Sequence, residues 1–231
     1  MIVAFVNPES TLHAPEPTAE QERTAAGLST LLQHAELIPV TGMDEAGLLS
    51  VPAAFTSWQI LRHGAVVIGP DGLEDAPWRR LTLETQHLRA DGLRLGHQAA
   101  THISQLGQLE LDVTLHEHSG LPLLVTLQHP HGLELALLQA ERELREWLDG
   151  GPFQADLRVL RQGDGLTLLP RELTPESAVN YVLGHLSPEV TLTIGVSAQE
   201  GDGAYLALCD YAMVPGESAW LSRAEMSDEQ D

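Results

Sequence analysis

Ile2-Val3-Ala4-Phe5-Val6-Asn7-Pro8 is a continuous apolar run that stops at an amide and a proline. A strand with one wet face would alternate apolar and polar residues. A run without alternation marks a strand covered on both faces, and Asn7-Pro8 ends it in a loop. Next, Thr18-Ala19-Glu20-Gln21 has the form of a capping box, and Ala25, Leu28, Leu32 and Ala35 recur at helical spacing, which predicts a helix over 19–34. Residues 36–40 form a second short apolar strand running into Thr41-Gly42. After a further helical stretch, Ala65-Val66-Val67-Ile68 gives a third, closed by Gly69-Pro70-Asp71-Gly72. This βαβαβ order predicts a parallel sheet with functional loops at the C-terminal ends of its strands.

The pattern is interrupted and then resumes. Residues 76–106 are helical in character, 109–128 alternate as a hairpin turning at Ser119-Gly120, and 132–150 form an amphipathic helix with Leu133, Leu137, Ala140, Leu144 and Leu148 on one face. Glu141 stands four residues before Arg145 on that helix. Strands at 157–161 and 166–169 flank a turn at Gly163-Asp164-Gly165, which makes 76–170 an α+β insertion. Thr174-Pro175 then starts a helix to about 186, 191–194 is a strand, 205–208 is helical, 211–214 is a final strand, and an acidic, frayed tail closes the sequence.

Composition narrows the function classes. There are 33 acidic and 12 basic residues, a net charge of −21, which repels nucleic-acid backbones and anionic lipid, so neither nucleic acid nor membrane is an expected partner. All the basic residues are arginine, so lysine chemistry is excluded. Cys209 is the single cysteine, which rules out an internal disulfide. With no secretory-type start and no long apolar run, a cytoplasmic location is the expectation.

Val6-Asn7-Pro8-Glu9-Ser10-Thr11-Leu12 resembles the first motif of the haloacid dehalogenase (HAD) superfamily, a strand followed by Asp-x-Asp-Gly-Thr-Leu. Thr41-Gly42 resembles the second motif, and His63-Gly64-Ala65-Val66-Val67 is similar to the Asn-Gly-Ala strand of the sucrose- and trehalose-phosphate phosphatase branch. Leu173-Thr174-Pro175-Glu176-Ser177-Ala178-Val179 falls at the Lys-Gly-x-Ala helix start, Thr193-Ile194-Gly195-Val196-Ser197 at the strand before Gly-Asp-Ser, and Tyr205-Leu206 to Cys209-Asp210-Tyr211 resembles the end of that motif. The resemblance implies a HAD-like Rossmannoid α/β core over 1–75 and 171–231, with the α+β insertion 76–170 as a cap domain.

It also implies a chemistry whose parts are changed here. In the family the first aspartate is the nucleophile and the second the general acid and base. Those positions hold Asn7 and Glu9. A carboxamide is a poor nucleophile because its nitrogen lone pair is delocalised and its oxygen carries no full charge. The lysine falls on Pro175, one Mg²⁺ carboxylate falls on Val196, and Pro8 removes a backbone donor. Thr41 and Ser197 keep phosphate-binding hydroxyls, and either Glu200 or Asp202 stands for the last metal-binding acid, since this loop is longer than the family's.

The leading expectation is therefore a phosphatase-related pseudoenzyme with weakened Mg²⁺ binding, whose cleft takes a phosphorylated small molecule or a protein partner. One alternative is a Mg²⁺-dependent sugar-phosphate phosphohydrolase using Glu9 with Glu200 or Asp202. Another is a structural interaction module that works through the cap surface or a homodimer face. The plain reading of Asn7, Glu9 and Thr41 is that they are loop residues at strand ends, with Asn7 and Thr41 satisfying backbone groups. His116-Glu117-His118 and His129-Pro130-His131 have ligand spacing on a strand, but about 25–30 Å at strand rise separates them, and a solvated surface explains them better than a joint metal site. Trp58, Trp78, Trp147 and Trp220 are scattered, as packing residues are.

Overall fold

The computed structural model describes residues 1–9, 11–14, 17–162 and 165–216, with Gln162 and Glu200 described by backbone alone. Ser10, Gly163, Asp164, Trp220 and the acidic tail lie outside the described residues. In chain order the elements are β1 (Ile2–Val6), α1 (Ala19–Leu31), β2 (Ala35–Pro39), α2 (Glu45–Leu48), β3 (Gln59–Leu61), β4 (Val66–Ile68) and α3 (Ala76–Leu106). There follow β5 (Asp112–His118), β6 (Leu121–Gln128), α4 (Glu134–Asp149), β7 (Leu157–Gln162) and β8 (Gly165–Pro170). The last are α5 (Pro175–Leu183), β9 (Leu192–Val196), α6 (Gly203–Leu206) and β10 (Tyr211–Met213). The chain divides into two units, Met1–Arg79 with Thr174–Asp231, and Arg80–Leu173.

The first unit is built on a parallel sheet of order β10-β9-β1-β2. Its centre is the opening apolar run, and the burial explains the lack of alternation. Val3 and Phe5 join Ile38, Ala178, Val179, Val182 and Tyr205 in one cluster. Ala4 and Val6 join Leu12, Leu32, Leu48 and Val196 in another. Both faces of β1 are thus covered, and Val3, Ala4, Phe5 and Val6 are withdrawn from water. Thr18 caps α1, its side chain accepting from Gln21 N while its own N–H bonds the Gln21 side chain. Thr174 caps α5 by accepting from Ser177 N at 3.1 Å.

Four expectations need correction. Val66–Ile68 is not a third strand of the parallel sheet but pairs antiparallel with β3, a strand the sequence reading missed, in a sheet of its own. Only Arg62-His63-Gly64 and Ala65 separate them, and a parallel crossover needs a dozen residues or more. The first helix stops at Leu31, because the chain turns at Leu32 so that Ala35 can open β2. The helix after Thr174 stops at Leu183, with Gly184 as its C-cap. Leu133 is the N-cap residue of α4 and is 53% exposed, not part of its apolar face.

The second unit packs α3 and α4 with an antiparallel sheet of order β5-β6-β8-β7. The β5–β6 hairpin turns on Ser119 (φ 54°) and Gly120 (φ 78°), the left-handed pair that a two-residue connection of this hand requires. Leu137, Ala140, Leu144 and Leu148 of α4 are buried against Val125, Leu127, Leu166 and Leu168. Leu144 is fully buried, so Leu144→Ala should cost about 2–5 kcal/mol, read as a lower urea midpoint at unchanged slope. A cost below about 1 kcal/mol would mean this core does not hold the unit together. Trp78 lies in the first unit's core, and Trp147 stacks on Phe153 with centroids 5.8 Å apart.

Candidate functional site

In a parallel sheet the strands end at one edge, and here the sequence puts polar residues at that edge immediately after apolar strands. Asn7 N donates to Val196 O at 2.8 Å, Val40 N to Val6 O at 2.9 Å and Ser197 N to Met213 O at 3.2 Å, so Asn7, Thr41 and Ser197 follow three strands that end in register. All three are buried.

Asn7 and Ser197 are brought together by Asp202. Asn7 Nδ2 donates to Asp202 Oδ2 at 2.7 Å, and Ser197 Oγ donates to the same oxygen at 2.6 Å. The three side chains are 1%, 0% and 3% exposed. Of the two acids left open by sequence, Asp202 joins the network, whereas the side chain of Glu200 lies outside the described residues. Burial pushes the Asp202 carboxyl above its ordinary range. The Ser197 and Asn7 hydrogen bonds pull it back in part, and the charge of Glu176, in the first turn of α5, pushes it up again. Tyr205 is fully buried and donates from its hydroxyl to Val196 O at 2.9 Å, fixing the strand end that carries Ser197. Glu176 and Tyr205 fell within segments that resemble family motifs, but neither was singled out as a site residue.

Among the described residues of the loop after β1, the donors of four are used internally. Glu9 N bonds Asn7 Oδ1 at 3.0 Å, Thr11 Oγ1 bonds Asn7 O, and the amides of Thr11, Leu12 and His13 all turn to Pro8 O at 2.9–3.2 Å. Pro8 lacks an N–H, and these donors of Glu9, Thr11, Leu12 and His13 turn inward instead of toward an anion. Glu9 is half-buried. Thr41 Oγ1 accepts from Met43 N at 3.0 Å, and this bond does not enter the Asn7–Asp202–Ser197 network. Asn7 and Thr41 thus each satisfy a nearby backbone amide, as the plain loop reading expects, while Asn7 also does more.

The Thr41 segment is held by an uncommon turn. His63 N donates to Thr41 O and Arg62 N to Met43 O, both at 3.0 Å, and Arg62, His63 and Gly64 all have positive φ, at 51°, 57° and 90°. Two consecutive non-glycine residues in this region cost about 1–3 kcal/mol each. Arg62 pairs with Asp44 at 2.7 Å.

In the other unit, His118 and His129 stand at opposite ends of β6. His116 Nε2 is 2.8 Å from Thr126 Oγ1, and His129 Nδ1 accepts from His131 N at 3.0 Å. Among the described residues no three His, Cys, Asp or Glu side chains are grouped to hold a metal ion, and no helix is long and apolar enough to cross a membrane.

Comparison with known proteins places the fold. No protein-family profile matches the chain, and no curated protein sequence does. Solved structures do. A sucrose-phosphatase from Synechocystis sp. PCC6803, solved in complex with sucrose and phosphate, superposes with a TM-score of 0.59 at 16% identity, over 100% of this chain and 88% of that one. A trehalose-6-phosphate phosphatase related protein gives 0.51 at 14% identity, over 99% of both chains. A haloacid dehalogenase-like hydrolase from B. subtilis gives 0.50 at 12%, over 93% and 95%.

Proposed function

Because the chain has the fold of the haloacid dehalogenase-superfamily phosphatases, we propose that it is a non-hydrolysing relative of them. In this reading the C-terminal edge of its parallel sheet binds a small hydroxyl-bearing molecule, with a sugar phosphate as the phosphorylated candidate. The observation that carries it is the commitment of the Asn7 amide. Its nitrogen is bonded to Asp202 and its oxygen to Glu9 N, so the group at the nucleophile position of the resemblance is neutral and engaged at both ends. The core at 1–75 and 171–231, and the role of 76–170 as a cap, belong to the same proposal, as does a cytoplasmic setting without nucleic-acid or membrane partners.

The electrostatics support weak binding of the charged form. The chain has no lysine, its net charge is −21, and Glu176 adds negative potential at Asp202. A phosphate dianion would enter a strongly acidic protein with no lysine to offset its charge, whereas an uncharged polyol would add none. Mg²⁺, which the resemblance implies, fits the donors poorly. It favours octahedral oxygen ligation through carboxylates, and here Asn7 turns an N–H toward the Asp202 oxygen that Ser197 also occupies.

Purified protein with Mg²⁺ should hydrolyse sucrose phosphate, trehalose phosphate and simple aryl phosphates at background rate, since loss of the nucleophile alone is enough to abolish a cooperating set. Robust turnover that disappears in Glu9→Gln would overturn the reading in favour of a phosphohydrolase using Glu9. Calorimetric titration with sugars and sugar phosphates should find the uncharged forms bound at least as well. Thr41→Val should weaken the ligand by about fivefold to tenfold, the worth of one neutral hydrogen bond. Tight binding that ignores Thr41→Val would move the site elsewhere.

A further inference from the structure

On the reading of the first unit as a non-hydrolysing site, we propose that the Asn7 amide does the electrostatic work of a divalent cation, so that the wild-type chain is metal-independent and the single change Asn7→Asp makes it metal-dependent. The geometry carries the inference. Asn7 Nδ2 lies 2.7 Å from Asp202 Oδ2, with both side chains almost wholly withdrawn from solvent. Two carboxylates at that separation, in surroundings that already disfavour the charge on one of them, require a positive charge between them or a shared proton. The amide removes the requirement by presenting an N–H to the carboxylate directly. Ser197 Oγ supplies a second donor to the same oxygen, and Tyr205 holds the strand end in place, so two hydrogen bonds offset part of the cost of burying the carboxylate.

The substitution changes little else. An aspartate placed at this position has the same shape, and its second oxygen can still accept from Glu9 N, as Asn7 Oδ1 does at 3.0 Å. What it loses is the donor to Asp202. Two carboxylates, one at the end of β1 and the other in the turn before α6, are a sufficient protein contribution for Mg²⁺ or Mn²⁺, which keep several waters when bound by one or two acids.

The test uses the full chain as wild type, Asn7→Asp, Asp202→Asn and the double variant, melted in EDTA and in millimolar Mg²⁺ or Mn²⁺, with Mn²⁺ binding counted by electron paramagnetic resonance. The wild type should melt at one temperature in both buffers and bind no Mn²⁺ at this site. Asn7→Asp should melt lower in EDTA, recover by several degrees with metal and bind a single Mn²⁺ per chain, since a ligand that binds only the folded state stabilises it. The double variant should lose both the response and the ion.

An Asn7→Asp chain that melts at the same temperature with and without metal overturns the proposal, and so does one that folds in neither buffer. A wild-type chain whose Mn²⁺ is lost in Asp202→Asn also overturns it, because the cation site would then already exist beside the amide. The two readings fail separately. Wild-type hydrolysis without a bound cation at Asp202 sinks the function proposed above and not this inference, whereas a cation at Asp202 without hydrolysis sinks this inference alone.

Discussion

Gly64→Ala should destabilise the protein by about 3 kcal/mol or more, a large share of the roughly 5–15 kcal/mol that holds a domain folded. Two costs coincide at this position. Gly64 has φ +90°, which disfavours any side chain, and an added Cβ would be driven onto the Thr174 carbonyl, with the Thr174 carbon at 2.7 Å and Pro175 N at 3.0 Å. These are backbone atoms, so they cannot move aside as a flexible side-chain tip would. The position also anchors its surroundings. Gly64 O accepts from the Trp78 indole at 3.0 Å, and the preceding His63 N holds Thr41 O. Gly72 is the control, with φ +74° and open space where its Cβ would be, so Gly72→Ala should lose only the backbone preference, about 1–2 kcal/mol. Urea melts followed by tryptophan fluorescence separate the two. Equal losses would show that the close approach to Thr174 has no energetic weight.

Asp202→Leu should cost about 3 kcal/mol, because it leaves two buried donors, Asn7 Nδ2 and Ser197 Oγ, without the oxygen they share. Asp202→Asn keeps one acceptor and should cost markedly less at neutral pH. The acid also leaves a signature in the pH dependence. Its folded pKa is raised, first by burial and then by Glu176, against the two hydrogen bonds. A group raised in the folded state keeps its proton where the unfolded chain has lost it. Its contribution to stability is therefore complete below the unfolded value, about 3.9, and declines as pH rises through the folded one. Wild-type stability relative to Asp202→Asn should fall as pH increases across that window. A difference that stays flat, or that rises with pH, would show the carboxylate to be stabilised by its donors more than burial disfavours it.

How much of this was readable beforehand differs between fold and site. β1 was legible because burial on both faces removes alternation, and the run from Ile2 to Val6 has none. The α4 face and the Ser119-Gly120 turn were legible because helical period and left-handed turn chemistry are local properties. β3 was not, because Gln59-Ile60-Leu61 is too short to carry a period, and its partner β4 is chosen by a tight turn through two non-glycine residues with positive φ. In the site, Asn7, Thr41 and Ser197 were marked by the resemblance of their segments, each following an apolar strand, to haloacid dehalogenase motifs. Asp202 could only be offered beside Glu200, since a loop of altered length has no register until it is folded.

The amino-acid sequence by itself determined the parallel core around β1, the charge of −21, the lack of any lysine and the presence of a carboxamide at the end of the first strand. These depend on residue type and short-range spacing, which a linear chain already contains. Only the tertiary structure decided what the carboxamide does. The bond from Asn7 to Asp202 joins residues 195 positions apart, and it forms because β9 lies beside β1 and α6 follows β9. Which acid reaches the amide, that Ser197 shares its oxygen, and that Tyr205 fixes the strand beneath them follow from packing across the sheet, where distance in space is set by strand order and not by separation along the chain.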